Sequence, residues 1–465
     1  MSFTSYDFLL FYLIVFALYW IVREHRWQNL LLLAASYYFY GSLQIWYAAL
    51  LGLTTLADFA LSRGMATQPE RKRLFFWLSL LLNLGMLAFF KYYGFFSDDV
   101  ANFLSTLGIQ SDKFLTNILL PAGLSFFTLK KLGYILDVSH KTLRPTHSFI
   151  DFALYVSFFP QIISGPIDRP QNLLPQIETQ RTWAIENLTQ AIPLLVIGFF
   201  KKLVIANSIQ ILVDRVFGFS QPSGLLLFIG ALGYTLQILA DFSAYTDLSR
   251  GFARLLGFQT PENFRMPYLS HTPTDFWNRW HITLSNWLRD YVFFPIRRVL
   301  MRYKLNETLA MSIPPIATML ISGIWHGAGL NFIVWGIYYG VLIAIYQLFG
   351  IQGNWKPRNK PTALFAWLVM FTFIVFGWMI FRAPSLPWMF NSLLHTNFIP
   401  QKNELILAII TLTATLVYTI PLMLNDWLET HAKETWFQAA YYAVAFTLIV
   451  IYINSTNSDF IYFQF

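Results

Sequence analysis

Residues 323–349 read "GIWHGAGLNFIVWGIYYGVLIAIYQLF". A glycine-flanked histidine, His326, is followed by the apolar run Phe332–Phe349, and another apolar run, Ile316–Ile321, precedes it. An uncharged run near twenty residues is the length a helix needs to cross the hydrocarbon core of a bilayer. In lipid, every backbone polar group needs an internal partner. The period-2 alternation of a closed barrel is absent, so the run is a helix. The stretch therefore places a titratable side chain beside a membrane span.

Similar runs recur along the chain. Clear spans fall near 7–22, 43–61, 74–93, 149–166, 223–240, 330–349, 363–381, 404–424 and 436–453. Shorter or interrupted ones fall near 28–42, 116–138, 189–212, 283–296 and 311–326. By length this predicts roughly ten to fourteen membrane-embedded segments. Hydrophobic residues make up 56% and charged residues 12%, against about 25% charged in soluble domains. Mean hydropathy is +0.49. These features predict an all-α polytopic membrane protein forming a single membrane-embedded domain over residues 1–465. No soluble domain-sized stretch and no internal repeat is visible. The longest polar connection, near 167–188, holds "DRPQNLLPQIETQRTW".

The opening "MSFTSYDFLLFYLIVFALYW" lacks a basic n-region and a small-residue cleavage site, so it is expected to be a retained first span. There is no cysteine, which excludes thiol nucleophiles, cysteine-ligated metal sites and disulfides. The net charge of +8 maps to loops: Arg23 and Arg26, then Arg63 and Arg71–Lys72–Arg73, then Arg297, Arg298, Arg302 and Lys304, then Lys356, Arg358 and Lys360. The excess of lysine and arginine assigns these loops to the cytoplasm. The connections near 94–115, which holds Lys113, and 454–465 then face outward, as do both termini. The positive charge is a topology signal and not a nucleic-acid footprint.

Polar residues intrude at a few places. Lys130–Lys131 and Lys201–Lys202 sit in apolar surroundings, and snorkelling at helix ends is the expectation for both pairs. Asp241 is expected to be a buried partner for an arginine. "FFPQIISGPIDRP" at 158–170 suits a re-entrant turn packed inside protein. Segment 268–298 is crowded with aromatics and charges. Drawn as one helix, it puts Trp277, His281, Leu284 and Leu288 on one face, with Asp275 reaching Arg279. An amphipathic interfacial helix with a tryptophan belt is one reading of that segment.

His326 admits two readings. A membrane histidine can simply hydrogen-bond a neighbouring helix. Here Gly327 and Gly329 permit a helix break and close backbone approach, and neutral imidazole is suited to moving a proton at cellular pH. No G-x-S-x-G elbow, dinucleotide fingerprint, P-loop or H-E-x-x-H is present. His281 and His326 are left as the candidate chemical centres, with no metal site expected.

These residues resemble a known family. "DFWNRWHITLSNWLRDYVFFPI", with "GIWHG" placing its histidine 45 residues after His281, is similar to the membrane-bound O-acyltransferases of bacterial polysaccharide systems. "FFPQIISGPIDRP", "IGFFKKLVIANSI", "LADFSAYTDLSRGFARLLGFQTPENFRMPYLS" and the terminal "FIYFQF" carry the same resemblance. It is strong over about 30–350, leaving 363–465 as C-terminal helices. "WHGAGLNFIVWG" and "FIYFQF" look like alginate-acetylating members, while "SGPIDR" and "FWNRWH" look like members that D-alanylate teichoic acid.

The resemblance implies a helical core with a transmembrane tunnel and re-entrant or interfacial helices, in a bacterial inner membrane. It implies transfer of an acyl group, acetyl or D-alanyl, from a cytoplasmic thioester to an extracytoplasmic hydroxyl. The donor is expected to be acetyl-coenzyme A or a phosphopantetheine carrier protein, with no permanently bound cofactor. The acceptor is expected to be a polysaccharide or a secreted acyltransferase partner; nucleic acid is not. His326 matches the family's invariant histidine and is expected to be the base, and His281 matches its second histidine. Trp325, Asn278, Arg279, Arg297 and Arg298 are expected to bind substrate. A polysaccharide or lipid transporter is the reading from a different class, since broken helices and buried charges suit it too.

Overall fold

The computed structural model describes residues 1–106, 120–303, 306–351, 353, 355–394, 398–431, 435–453 and 460. Lys113, Lys304 and the "FIYFQF" motif beyond Phe460 lie outside the described residues. Among the described residues every regular element is helical. Among the described residues eight helices are long and apolar enough to cross a membrane: Ile45–Thr67, Pro69–Tyr93, Ile185–Phe217, Gly224–Leu255, Glu307–His326, Leu330–Leu348, Lys360–Arg382 and Lys402–Leu428. Tyr6–Ile21 and Trp436–Tyr452 are shorter apolar helices.

One expected span is overturned. Residues 149–166 are not a crossing helix: Phe149–Ser157 is nine residues long and is followed by a turn whose residues are all buried. Pro160 and Pro166 lack the backbone N–H that a continuing helix needs, so the chain turns back. The turn packed inside protein that "FFPQIISGPIDRP" suggested is present. Gly123, at φ +76°, lies against it; a Cβ there would stand 2.3 Å from the Ile162 carbonyl oxygen. That approach requires glycine.

The chain forms two compact units, residues 1–192 with 248–261, and residues 193–247 with 262–465. In the first, rings of Phe3, Phe8, Phe39, Phe159 and Phe252 pack as an aromatic core. Lys130 and Lys131 do not snorkel. Both are buried, and Lys131 pairs with Asp58 at 3.3 Å. Asp58 also accepts from Ser79 and from the Asn83 amide. Lys130 donates to Gln161 at 3.1 Å, and Gln161 donates on to Asp168 at 3.2 Å. A charge at bilayer depth is expensive unless partnered, and here the partners come from other parts of the fold.

The second unit repeats the correction. Lys201 pairs with Asp247 at 2.8 Å, and buried Lys202 with Asp241 at 2.7 Å. The lysines lie on a π-helical turn, Lys201–Ala206, set in a longer helix. Helices Glu307–His326 and Leu330–Leu348 pack closely through Gly336-x-x-x-Gly340. A Cβ on Gly336 would stand 2.4 Å from the Met319 carbonyl oxygen, and one on Gly340 2.6 Å from Ile316 Cα. Without a hydrophobic driving force in lipid, such small-residue seams let backbones meet and hold helices together. This seam fixes the helix that ends at His326.

Candidate active site

His326 is the last residue of helix Glu307–His326. The chain leaves the helix at Gly327, where an added Cβ would strike the Phe332 ring at 2.5 Å. The flanking glycine therefore does what the sequence suggested, turning the backbone sharply beneath an aromatic ring. The His326 imidazole is buried and enclosed edge-to-face by Trp325, Trp335 and Phe381, at centroid distances of 4.8, 5.1 and 5.1 Å. The Trp325 ring also meets His281, at 6.3 Å, so it stands beside both imidazoles.

His281 is not on a continuous amphipathic helix, which corrects the single-face drawing of segment 268–298. Helix Pro273–Trp277 stops, and His281 adopts left-handed φ 42° before helix Ile282–Leu288 begins. Nor does this part present an exposed amphipathic face, because Trp280, His281 and Leu284 are buried. A π-helical turn, Arg289–Phe293, and helix Phe294–Arg302 follow. The His281 side chain makes no cap for its own helix. Asn263 supplies one instead: its Oδ1 accepts from the Thr283 backbone N–H at 3.1 Å and its carbonyl from Ile282 N–H at 3.0 Å. Helix-start N–H groups need such outside acceptors. Burial pushes the His281 imidazole down to about 3, against a bond to its own backbone carbonyl that pulls it up. It is neutral at cellular pH.

Beside these residues lies a cavity of about 310 Å³. Asn278, Ser285, Ser322 and Gln347 line it among polar residues and Met319 among apolar ones, and Arg289 and Arg297 line it too. Ser322 is one helical turn before His326 and Ser285 one turn after His281, so the cavity reaches the turn next to each histidine. Of the expected substrate-binding residues, Asn278 and Arg297 are on its wall. Arg279 is instead held by Asp275 at 2.7 Å. Trp325 packs against both histidines, and Arg298 is outside the lining. Arg289, Ser285, Ser322 and Asn263 were not singled out as site residues by sequence. For Ser322 a signal existed, since it precedes His326 by four positions.

The model of MBOAT, the membrane-bound O-acyltransferase family, matches residues 32–381. The chain belongs to that family. Among relatives of this O-acyltransferase, the probable alginate O-acetylase of Pseudomonas aeruginosa is 35% identical over 391 residues, covering 83% of this chain and 73% of the relative. The peptidoglycan O-acetyltransferase of Helicobacter pylori is 33% identical over 397 residues, covering 78% and 72%. The teichoic acid D-alanyltransferase of Bacillus subtilis is 32% identical over 280 residues, covering 57% and 69%. The protein is thus a multi-pass membrane acyltransferase, and the transporter reading falls.

Proposed function

We propose that this enzyme moves an acetyl group from a cytoplasmic thioester to a hydroxyl of an extracytoplasmic polysaccharide, or of a partner acyltransferase that finishes the delivery. An alcohol attacks a thioester slowly until a base takes its proton. His326 is that base: it accepts the hydroxyl proton as oxygen attacks the carbonyl carbon. The tetrahedral intermediate then collapses, the C–S bond breaks, and the thiolate takes the proton from His326. Protons balance, so no further acid is needed.

The observation that carries the reading is the cavity that runs from Arg289 and Arg297 to Ser322, one turn short of His326. Coenzyme A and a phosphopantetheine arm both bear phosphate, which guanidinium groups bind bidentately. About 310 Å³ is at the small end of ligand cavities, which suits a slender arm with a two-carbon acyl group. The acetylating relatives are matched over more of this chain than the D-alanylating one, which favours acetyl.

Purified protein in detergent, given acetyl-coenzyme A, acetyl-carrier protein or D-alanyl-carrier protein with a glycan acceptor, tests the reading. Acetyl should move and D-alanyl should not; D-alanyl transfer alone would reverse the assignment. The cytoplasmic entry requires the arginine-rich loops to face inward, with both termini outside. The chain has no cysteine, so Glu70→Cys reports cleanly. Its labelling by an impermeant thiol reagent in intact spheroplasts would overturn that orientation.

A further inference from the structure

The contacts of one amide settle which nitrogen of His281 carries its proton. Asn263 is wholly buried, and its Oδ1 lies 3.1 Å from the backbone nitrogen of Thr283. A backbone N–H only donates, so the side-chain atom opposite it must be the oxygen. That fixes the orientation of the amide without reference to the histidine. The same oxygen takes the Thr283 hydroxyl at 2.9 Å and lies 3.2 Å from His281 Nδ1. An amide oxygen only accepts, so Nδ1 must be the protonated nitrogen.

The surroundings keep the ring in that state. Phe242 meets it edge-to-face at 4.8 Å and Trp325 stands on another side at 6.3 Å. Aromatic enclosure disfavours a second proton, because the imidazolium would be cut off from water. The left-handed φ of 42° at His281 is costly for a residue with a Cβ, and the four Asn263 contacts to residues 281–283 hold the turn in place.

We infer that Asn263 is a positioning residue that holds His281 as the neutral Nδ1–H tautomer, so that Nε2 serves the reaction as a hydrogen-bond acceptor. His281 then does not donate to the oxyanion of the tetrahedral intermediate. That task falls to N–H donors such as the Asn278 amide on the cavity wall. Nε2 instead orients a donor on the substrate, the attacking hydroxyl or an amide N–H of a pantetheine arm, without taking its proton. The use made of Nε2 rests on the acyl-transfer reading; the tautomer does not.

The test reads the two separately. Protein labelled with ¹⁵N-histidine is reconstituted in lipid near neutral pH without substrate. Its solid-state NMR spectrum is compared with that of His281→Gln. The difference should show one imidazole with protonated Nδ1 and unprotonated Nε2. A protonated Nε2, or an imidazolium, overturns the inference, and this measurement needs no variant of Asn263. Asn263→Leu should then mix the tautomers and lower kcat for acetyl transfer at least tenfold, with donor KM changed less than twofold. Asn263→Asp, which keeps the acceptor oxygen, should restore the Nδ1–H signal and most of kcat. Unchanged kcat in Asn263→Leu with visibly mixed tautomers would remove the positioning role. Absence of transfer by wild-type protein, with the Nδ1–H signal intact, would instead count against the acyl-transfer reading alone.

Discussion

Asp58 in the first unit and His281 in the second are both enclosed by protein, and their surroundings treat burial in opposite ways. Asp58 is given a full set of donors: Lys131, Ser79 and both contacts of the Asn83 amide. These contacts act as a strut between helices Ile45–Thr67, Lys72–Thr106 and Leu124–Ser139. His281 has an amide oxygen at Nδ1 and aromatic rings at 4.8 and 6.3 Å, so its charged form is suppressed. A saturated charge rigidifies. A neutral imidazole ringed by aromatics keeps its hydrogen-bonding capacity without a charge. His326 is likewise ringed by aromatics, inside Trp325, Trp335 and Phe381.

The sharpest way to break this contrast is to exchange the consequences. His326→Ala should leave a protein that inserts and melts like wild type but transfers acetyl about 10²–10⁴ times more slowly, the usual loss with a general base. Transfer at the wild-type rate, at equal protein level, ends its assignment as base. Asp58→Ala should do the reverse. It strands the buried Lys131 charge, a change that typically costs about 3–5 kcal/mol. Thermal unfolding in detergent should show the loss, and Asp58→Leu with Lys131→Met should recover most of it. If the single variant is as stable as wild type, the strut is ornamental.

Much of this was legible beforehand, for a physical reason. Crossing a bilayer demands a long uncharged run, and runs such as 330–349 announce themselves by length. The short segment 149–166 misled because hydropathy reports apolarity, not lipid contact. A buried turn such as 158–165 is as apolar as a span, and only Pro160 and Pro166 mark the difference. The lysine pairs misled because snorkelling is a local solution, whereas Lys131 finds Asp58 on another helix. His326 was visible through its glycines. The setting of His281 was not: helical periodicity assumes a continuous helix, and a histidine at left-handed φ leaves no mark in the sequence. Asn263, its partner, lies 18 residues upstream in a different segment.

Acid should separate the two kinds of burial next. In the folded protein burial holds the His281 imidazole at about 3, while in the unfolded chain it titrates near 6.5. Above pH 6.5 neither state is protonated there, and His281 contributes no slope. Between about 6.5 and 3 the unfolded chain binds a proton that the folded one refuses, so stability falls as pH falls. The slope approaches about 1.4 kcal/mol per pH unit. The chain has 8 histidines, so the measurement is the difference between wild type and His281→Gln, from pH 7.5 to 5. Parallel melting curves across that range would mean that His281 is not held neutral.

The smallest effect concerns the arginines, where position should matter more than charge. Arg289 and Arg297 line the cavity, and Arg298, next in sequence, does not. If the donor bears phosphate, all three add to the positive surface that draws it, but only the first two line the cavity. Arg297→Gln and Arg289→Gln should each raise donor KM a few-fold, with kcat and acceptor KM unchanged, because they remove binding shared by ground and transition states. Arg298→Gln should slow donor encounter slightly, and that deficit should vanish at high salt, as steering does. Direct phosphate binding at the cavity wall, by contrast, is screened less, so the deficit from removing it persists. If all three variants behave alike, and alike in salt, the arginines act only as a collective field and the cavity's cationic end is not a docking point. If Arg297→Gln alone persists at high salt, the donor's phosphate sits against residue 297, and the path from there to Ser322 and His326 gains its first fixed point.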